Sequence, residues 1–362
     1  MNNVVLFSLY GRSGMWHYAT QYANNLAEFK ETMLVCPKYA DKKVLSKKII
    51  KNELGADINI FKFLLQTINI FQHIKSIYNI FKFKSKTIHF LDNHPWTIIY
   101  ALFFKLFRKK IIITQHDPIQ HTGEPRAFLQ NIINKIQRIF ANKIIVHGKF
   151  IKKQMFIQYK TPKNKIIVFP HGDYEFIKKY DSNKLIKTEK NTFLFFGRIL
   201  KYKGIGILFD SLEQLNKLNK NFKLLIAGSG DLSEYKEKIK KYEKNLEIHN
   251  RYIDESEIPV FFKRSSFVVL PYLDATQTGI IPIAYAYKKP VLITNVGALP
   301  EVVENKKTGI IVKVNKKSIA EGINWLLNCK NIDKLGENAY EKMKNDLNWS
   351  KNIKNILFIY LN

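Results

Sequence analysis

The chain has 362 residues, 46% of them hydrophobic, with 59 Lys and Arg against 30 Asp and Glu for a formal net charge of +29. The length suits two domains, and the apolar content excludes a disordered chain. Two cysteines, Cys36 and Cys329, exclude a disulfide framework and point to a reducing compartment.

The first half alternates strand and helix signals. Strands are expected at 4–8, 32–36, 87–91, 110–114, 143–146 and 165–169, with helices at 15–28, 61–81, 96–107 and 125–140. The stretch 61–86 mixes aromatics with lysines; its apolar stripe is expected to pack on a sheet, leaving Lys75, Lys82, Lys84 and Lys86 outward to meet lipid headgroups. A charge-rich segment, 174–190, lacks an apolar period and is read as a linker. A second series follows, with strands at 192–196, 223–227, 246–249, 266–270, 291–294 and 309–312. This rhythm predicts two parallel α/β sheets, with ligands at strand carboxyl ends. The expected domains are 1–173 and 191–340, with a tail over 341–362 that is amphipathic from Asn352 to Leu361.

The start, MNNVVLFSLYGRSG, has no basic region ahead of an apolar run, and no stretch reaches the ~18 apolar residues of a spanning helix. The expected location is cytoplasmic. The cationic excess favours an anionic partner, and a membrane surface is worth ~1 kcal/mol per well-placed basic residue. AT-rich codon usage explains the same excess without a partner. No nucleic-acid motif accompanies it, so no nucleic-acid partner is expected.

The residues that carry chemistry lie after strands. Gly11 and Gly14, in Gly11-Arg12-Ser13-Gly14, let the backbone approach a ligand closely. His116, in His116-Asp117-Pro118, sits where an imidazole reaches a sugar hydroxyl or phosphate oxygen, with His121 and Gly123 soon after. His116 and His121 lack an evident third ligand, so no metal is expected. His147-Gly148 and His171-Gly172 read as structural turns. Gly197, Arg198 and Lys203 follow the first strand of the second series, and two cations five apart can clamp a diphosphate. In the stretch Leu270 to Val312, a small-residue loop precedes Pro282, which suits a first helical turn; Thr278, Gly279 and Ile280 offer amides at that helix start.

These residues resemble the glycosyltransferase family 4 enzymes, also described as glycosyl transferases group 1. Gly197-Arg198-Ile199 with Lys203-Gly204 is similar to that family's Gly-Arg…Lys-Gly element, and Leu224 to Leu232, LLIAGSGDL, to its Ala-Gly-x-Gly turn. The 270–312 stretch, Asn250-Arg251-Tyr252-Ile253, Trp349-Ser350, the Gly11–Gly14 loop and the His116-Asp117-Pro118 loop match in order, covering nearly the whole chain. The resemblance implies a GT-B fold, two Rossmann-like parallel-sheet domains facing a cleft, with the tail packed back on the first domain. It implies a retaining transferase of the hexosyltransferase type that takes a UDP-, GDP- or dTDP-sugar, without cofactor or metal. The acceptor would be a saccharide or lipid-linked saccharide of polysaccharide, lipopolysaccharide or glycolipid assembly, at the cytoplasmic membrane face. Arg198, Lys203 and His116 would be catalytic. Gly11, Gly14, Gly197, Gln277, Thr278, Gly279, Ile280 and Tyr285 would bind the donor.

The chain departs from the family at a Glu-x7-Glu pair. Aligning on Pro282 puts Gln277 and Tyr285 at those positions, neither a carboxylate, and Asp274 lies nearby as a replacement charge. A sugar-nucleotide epimerase of the same architecture and a non-catalytic nucleotide-sugar binder stand as alternatives.

Overall fold

The computed structural model describes residues 3–56, 59–118, 127–181 and 185–361. The described residues divide into two compact units, one of 3–56, 59–118, 127–172 and 348–361, the other of 173–181 and 185–347.

The first unit is built on a parallel sheet. Its strands are β1 (Val4–Phe7), β2 (Thr32–Pro37), β3 (Ile50–Leu54), β4 (Thr87–Phe90), β5 (Lys110–Thr114), β6 (Lys143–Val146) and β7 (Ile166–Val168). They lie in the order β3-β2-β1-β4-β5-β6-β7, and β1 pairs in parallel with both β2 and β4. Every residue of β1, β2 and β4 is buried, as a sheet covered on both faces requires. The edge strand β3 lies outside the expected strands: its sequence IKNEL has no apolar run, and it is held by pairing to β2.

Helices α1 (Ser13–Leu26), α2 (Ile60–Ile68), α3 (Ile70–Lys82), α4 (Trp96–Leu106) and α5 (Ala127–Phe140) also belong to this unit. The helix expected over 61–81 is two. Asn69 stands between them with its side chain accepting from the Gln72 amide, as Asn59 accepts from those of Phe61 and Lys62 at the start of α2. The expectation that this stretch packs its apolar stripe on the sheet holds in part: in α3 Ser76 and Ile80 are buried and Asn52 of β3 donates to Ser76 O at 3.0 Å, whereas Phe61, Leu64, Leu65 and Ile68 of α2 are all exposed.

The C-terminal residues complete the first unit. Trp349 packs 5.3 Å from the Tyr18 ring and 5.9 Å from Phe169, and the Tyr360 hydroxyl meets that of Tyr22 at 2.6 Å. A Cβ added at Gly172 would lie 2.0 Å from Trp349, which explains a glycine there. Only 348–362 joins this unit; the helix Ile332–Asp346 stays with the second, so the tail begins later than the expected 341.

The second unit is a six-stranded parallel sheet of β8 (Thr192–Phe196), β9 (Lys223–Ala227), β10 (Leu246–His249), β11 (Phe267–Leu270), β12 (Val291–Thr294) and β13 (Gly309–Val312), ordered β10-β9-β8-β11-β12-β13. Leu194 and Phe196 enter one core and Phe193 and Phe195 the other, so alternate residues serve opposite faces. Of the expected linker 174–190, the described residues 174–181 and 185–190 belong to this unit. Tyr174 and Ile177 are buried in its core, with Phe176 and Tyr180 packed against it. The aromatic residues hidden among its charges supply that packing.

Candidate active site

In the second unit the strand order reverses between β8 and β11, where open α/β sheets leave a crevice at their carboxyl ends. Gly197, just past β8, has φ +101 and donates its N–H to Ala227 O at 2.9 Å. Gly204 closes the loop with φ +75, and a Cβ there would lie 1.8 Å from Pro271 O. Leu273 N donates to Tyr202 O at 2.7 Å, so the loops after β8 and β11 are tied together. Glycine is required at 204 both by the left-handed backbone and by this close approach.

That geometry gathers most of the expected donor residues. A Cβ at Gly197 would lie 3.2 Å from Lys203 Nζ and 3.6 Å from Ile280 Cδ1, so the ammonium folds back over the strand end beside the helix Ile280–Ala286. Lys203 Nζ also stands 5.6 Å from the Tyr272 ring centroid. The Tyr272 hydroxyl is 3.4 Å from Thr278 Oγ1, which accepts the Ile280 N–H at 3.2 Å. That amide is already engaged, contrary to the expectation of an open one. Gly279 faces Tyr174: a Cβ would lie 2.8 Å from the phenol oxygen. Pro282 falls in the first turn, as expected.

Three residues stand out for what they lack. Gln277 Oε1 is buried and has no hydrogen-bond partner among the described residues. A buried unsatisfied acceptor costs about 1–3 kcal/mol, which a hydroxyl donor on a ligand would offset. Of the three arginines in this unit, Arg251 is paired with Glu257 and Arg264 with Glu247 and Glu189. Arg198 is exposed and has no carboxylate partner among the described residues; neither does Lys203.

Tyr285 is a correction. It is fully buried, and its hydroxyl meets Thr308 Oγ1 at 2.9 Å, so it is a core residue and presents no phenol to a ribose. It lies six residues into the unit's buried helix, on a turn that packs against the segment leading to β13. Asp274 is exposed beside the loop, and Glu301 lies in the short helix Leu299–Val302.

The first unit has its own reversal, between β1 and β4. Asp92, just past β4, accepts from Leu9 N at 2.6 Å and Tyr10 N at 3.1 Å through Oδ2, and from His94 N at 3.2 Å through Oδ1. Burial pushes its carboxyl up to about 6, and these amides pull the other way. It thereby anchors the loop carrying Gly11 and Gly14. Gly11 is crowded, 2.7 Å from Ala40 for an added Cβ, while Gly14 opens on empty space. Sequence reasoning did not single out Asp92; an acid directly after a buried strand was the available signal.

His116 is engaged on both sides. Nε2 is 2.9 Å from Leu91 O and Nδ1 is 2.9 Å from His147 Nε2, whose Nδ1 is 2.9 Å from Phe169 O. With a carbonyl at each end, three contacts need three protons, and two neutral imidazoles carry two. Burial holds both rings below the usual histidine range, His147 further lowered by neighbouring His116 and His171. The expectation that His116 points at a donor sugar is corrected: in this arrangement it braces the loops after β4 and β5. His147, expected to be a plain turn residue, is its partner. His121 and Gly123 lie outside the described residues. Among the described residues no group of three or more His, Cys, Asp and Glu is placed to hold a metal ion.

Known proteins are similar to this chain in sequence and in fold. Residues 176–344 match the family model described as Glycosyl transferases group 1. An uncharacterized 41.2 kDa protein in the cps region of Klebsiella pneumoniae is 27% identical over 306 residues, 80% of this chain and 81% of that one. The capsular polysaccharide biosynthesis glycosyltransferase CapM of Staphylococcus aureus is 28% identical over 251 residues, 61% of each. The structure of HepE from Anabaena, solved with UDP-glucose, superposes with a TM-score of 0.73 at 14% identity, covering 99% of both chains. The chain therefore has the GT-B fold, and its second unit carries the similarity to glycosyl transferases group 1.

Proposed function

We propose that this protein is a retaining, family 4-like glycosyltransferase that moves a sugar from a nucleotide-diphosphate sugar to a saccharide or lipid-linked saccharide in cell-surface polysaccharide, lipopolysaccharide or glycolipid assembly. The observation that carries this is the pair of cations without carboxylate partners among the described residues, Arg198 and Lys203, on the glycine-bounded loop at the β8–β11 reversal. As the glycosidic bond breaks, negative charge builds on the departing diphosphate. Cations fixed at that point stabilise the transition state more than the ground state. Gln277 Oε1 supplies an unfilled acceptor for a donor hydroxyl, taking the place of a carboxylate. Asp92 and His116 act at one remove, by fixing loops of the first unit. The relative named for capsular polysaccharide biosynthesis and the neighbour solved with UDP-glucose support the acceptor class and the donor class.

The test is release and transfer from a panel of UDP-, GDP- and dTDP-sugars, with product anomeric configuration read by NMR. Arg198→Ala and Lys203→Ala should each lower kcat by roughly 100-fold or more with the fold intact. Turnover unchanged in both variants would end the proposal. The non-catalytic reading rests on the absence of both family carboxylates; nucleotide-induced thermal stabilisation without turnover of any donor would favour it.

A further inference from the structure

We infer that the first unit docks on an anionic lipid surface through an outward apolar face on α2, α3 and α4. On α2, Phe61, Leu64, Leu65 and Ile68 stand at i, i+3, i+4 and i+7 and all face solvent, with Ile68 72% exposed. On α3 the same holds for Phe71, 85% exposed, Ile74 and Tyr78. On α4 it holds for Ile99, Leu102 and Leu106. Each stripe has the spacing of a core-facing helix and faces outward.

The helices form one layer. Trp96 Nε1 of α4 donates to Thr67 Oγ1 of α2 at 2.9 Å, and His73 Nδ1 of α3 is 2.7 Å from the Tyr100 hydroxyl of α4. These contacts join the three helices through residues outside the apolar stripes, which stay exposed on each helix. Exposed apolar stripes repeated on three adjoining helices mark an interaction site.

Charge selects the occupant. From Asn59 to Lys110 the chain carries nine Lys and Arg and one acid, Asp92, which is fully buried. A second copy of this chain would bring cations against cations. A bilayer with anionic headgroups supplies both the apolar phase for Phe71 and Ile68 and the countercharge for Lys75 and Lys82. Among the described residues no helix is long and apolar enough to cross a membrane, and these have 9, 13 and 11 residues. They therefore lie in the interface.

Vesicle binding needs no turnover, so the inference succeeds or fails independently of the proposed reaction. The full chain would be sedimented with phosphatidylcholine vesicles with and without phosphatidylglycerol, beside Leu64→Ser/Ile68→Ser/Phe71→Ser and Lys75→Gln/Lys82→Gln. We expect binding to the anionic vesicles, weakened about tenfold or more in either variant. Melting temperatures should stay near wild type, because every substituted side chain is exposed. Wild-type protein left in the supernatant, or a serine variant that binds as well as wild type, overturns the inference. Dimerisation by light scattering that the serine variant abolishes also overturns it, assigning the face to a second copy.

Discussion

Arg198 and Lys203 show how much a single residue's surroundings add to its identity. The sequence marks both as cations in a glycine-bearing loop. The structure adds that the other two arginines of the same unit are spent on carboxylates. Tyr285 runs the other way. The same alignment reasoning that selects Gln277 selects Tyr285, yet its ring is inside and its hydroxyl bonds Thr308. Tyr285→Phe should lower stability by about 1 kcal/mol through the lost hydrogen bond and leave the donor KM unchanged. Urea unfolding beside donor titration separates the two. A raised KM with unchanged stability would return Tyr285 to the site. The distinction was not legible in the sequence, because a tyrosine on an apolar helix serves core or ligand with the same spacing.

Elements were legible where the pattern is local. The six strands of the second unit fall within a residue of their expected positions, and β8, β9, β11 and β12 do so because strands covered on both faces need unbroken apolar runs. β3 was illegible, since an edge strand with two buried residues of five has no such run. The C-terminal helix Trp349–Ile356 depends wholly on its partners. Trp349 is 3% exposed, wedged among Tyr18, Tyr22 and Phe169, with Gly172 beneath it. Trp349→Ala should cost about 3–5 kcal/mol, read as a lower urea midpoint. A cost below about 1 kcal/mol would mean that this helix is peripheral to the unit.

At the scale of the whole molecule, acid should be destabilising. Burial pushes His89, His94 and His171 down to about 3, so each is held neutral in the folded chain. Their contribution is fully present above the unfolded value of ~6.5 and is lost as pH falls from there toward about 3. Asp92 opposes this: raised to about 6, it favours the folded state as pH falls through that value. Three histidines outweigh one carboxyl, and each added proton increases the repulsion of a chain already at +29. The urea midpoint should drop steadily from pH 7 to pH 4; a flat profile would contradict this account of the buried imidazoles. The sequence by itself determined two parallel α/β units, the glycine loops at their strand ends and the cations of the second unit, because these are written in local composition and spacing. Only the tertiary structure decided that Tyr285 is core, that His116 is tied to His147, that 174–180 is packed and that the α2 stripe faces out. Periodicity shows that a helix has an apolar face; what covers that face depends on elements far away in the chain.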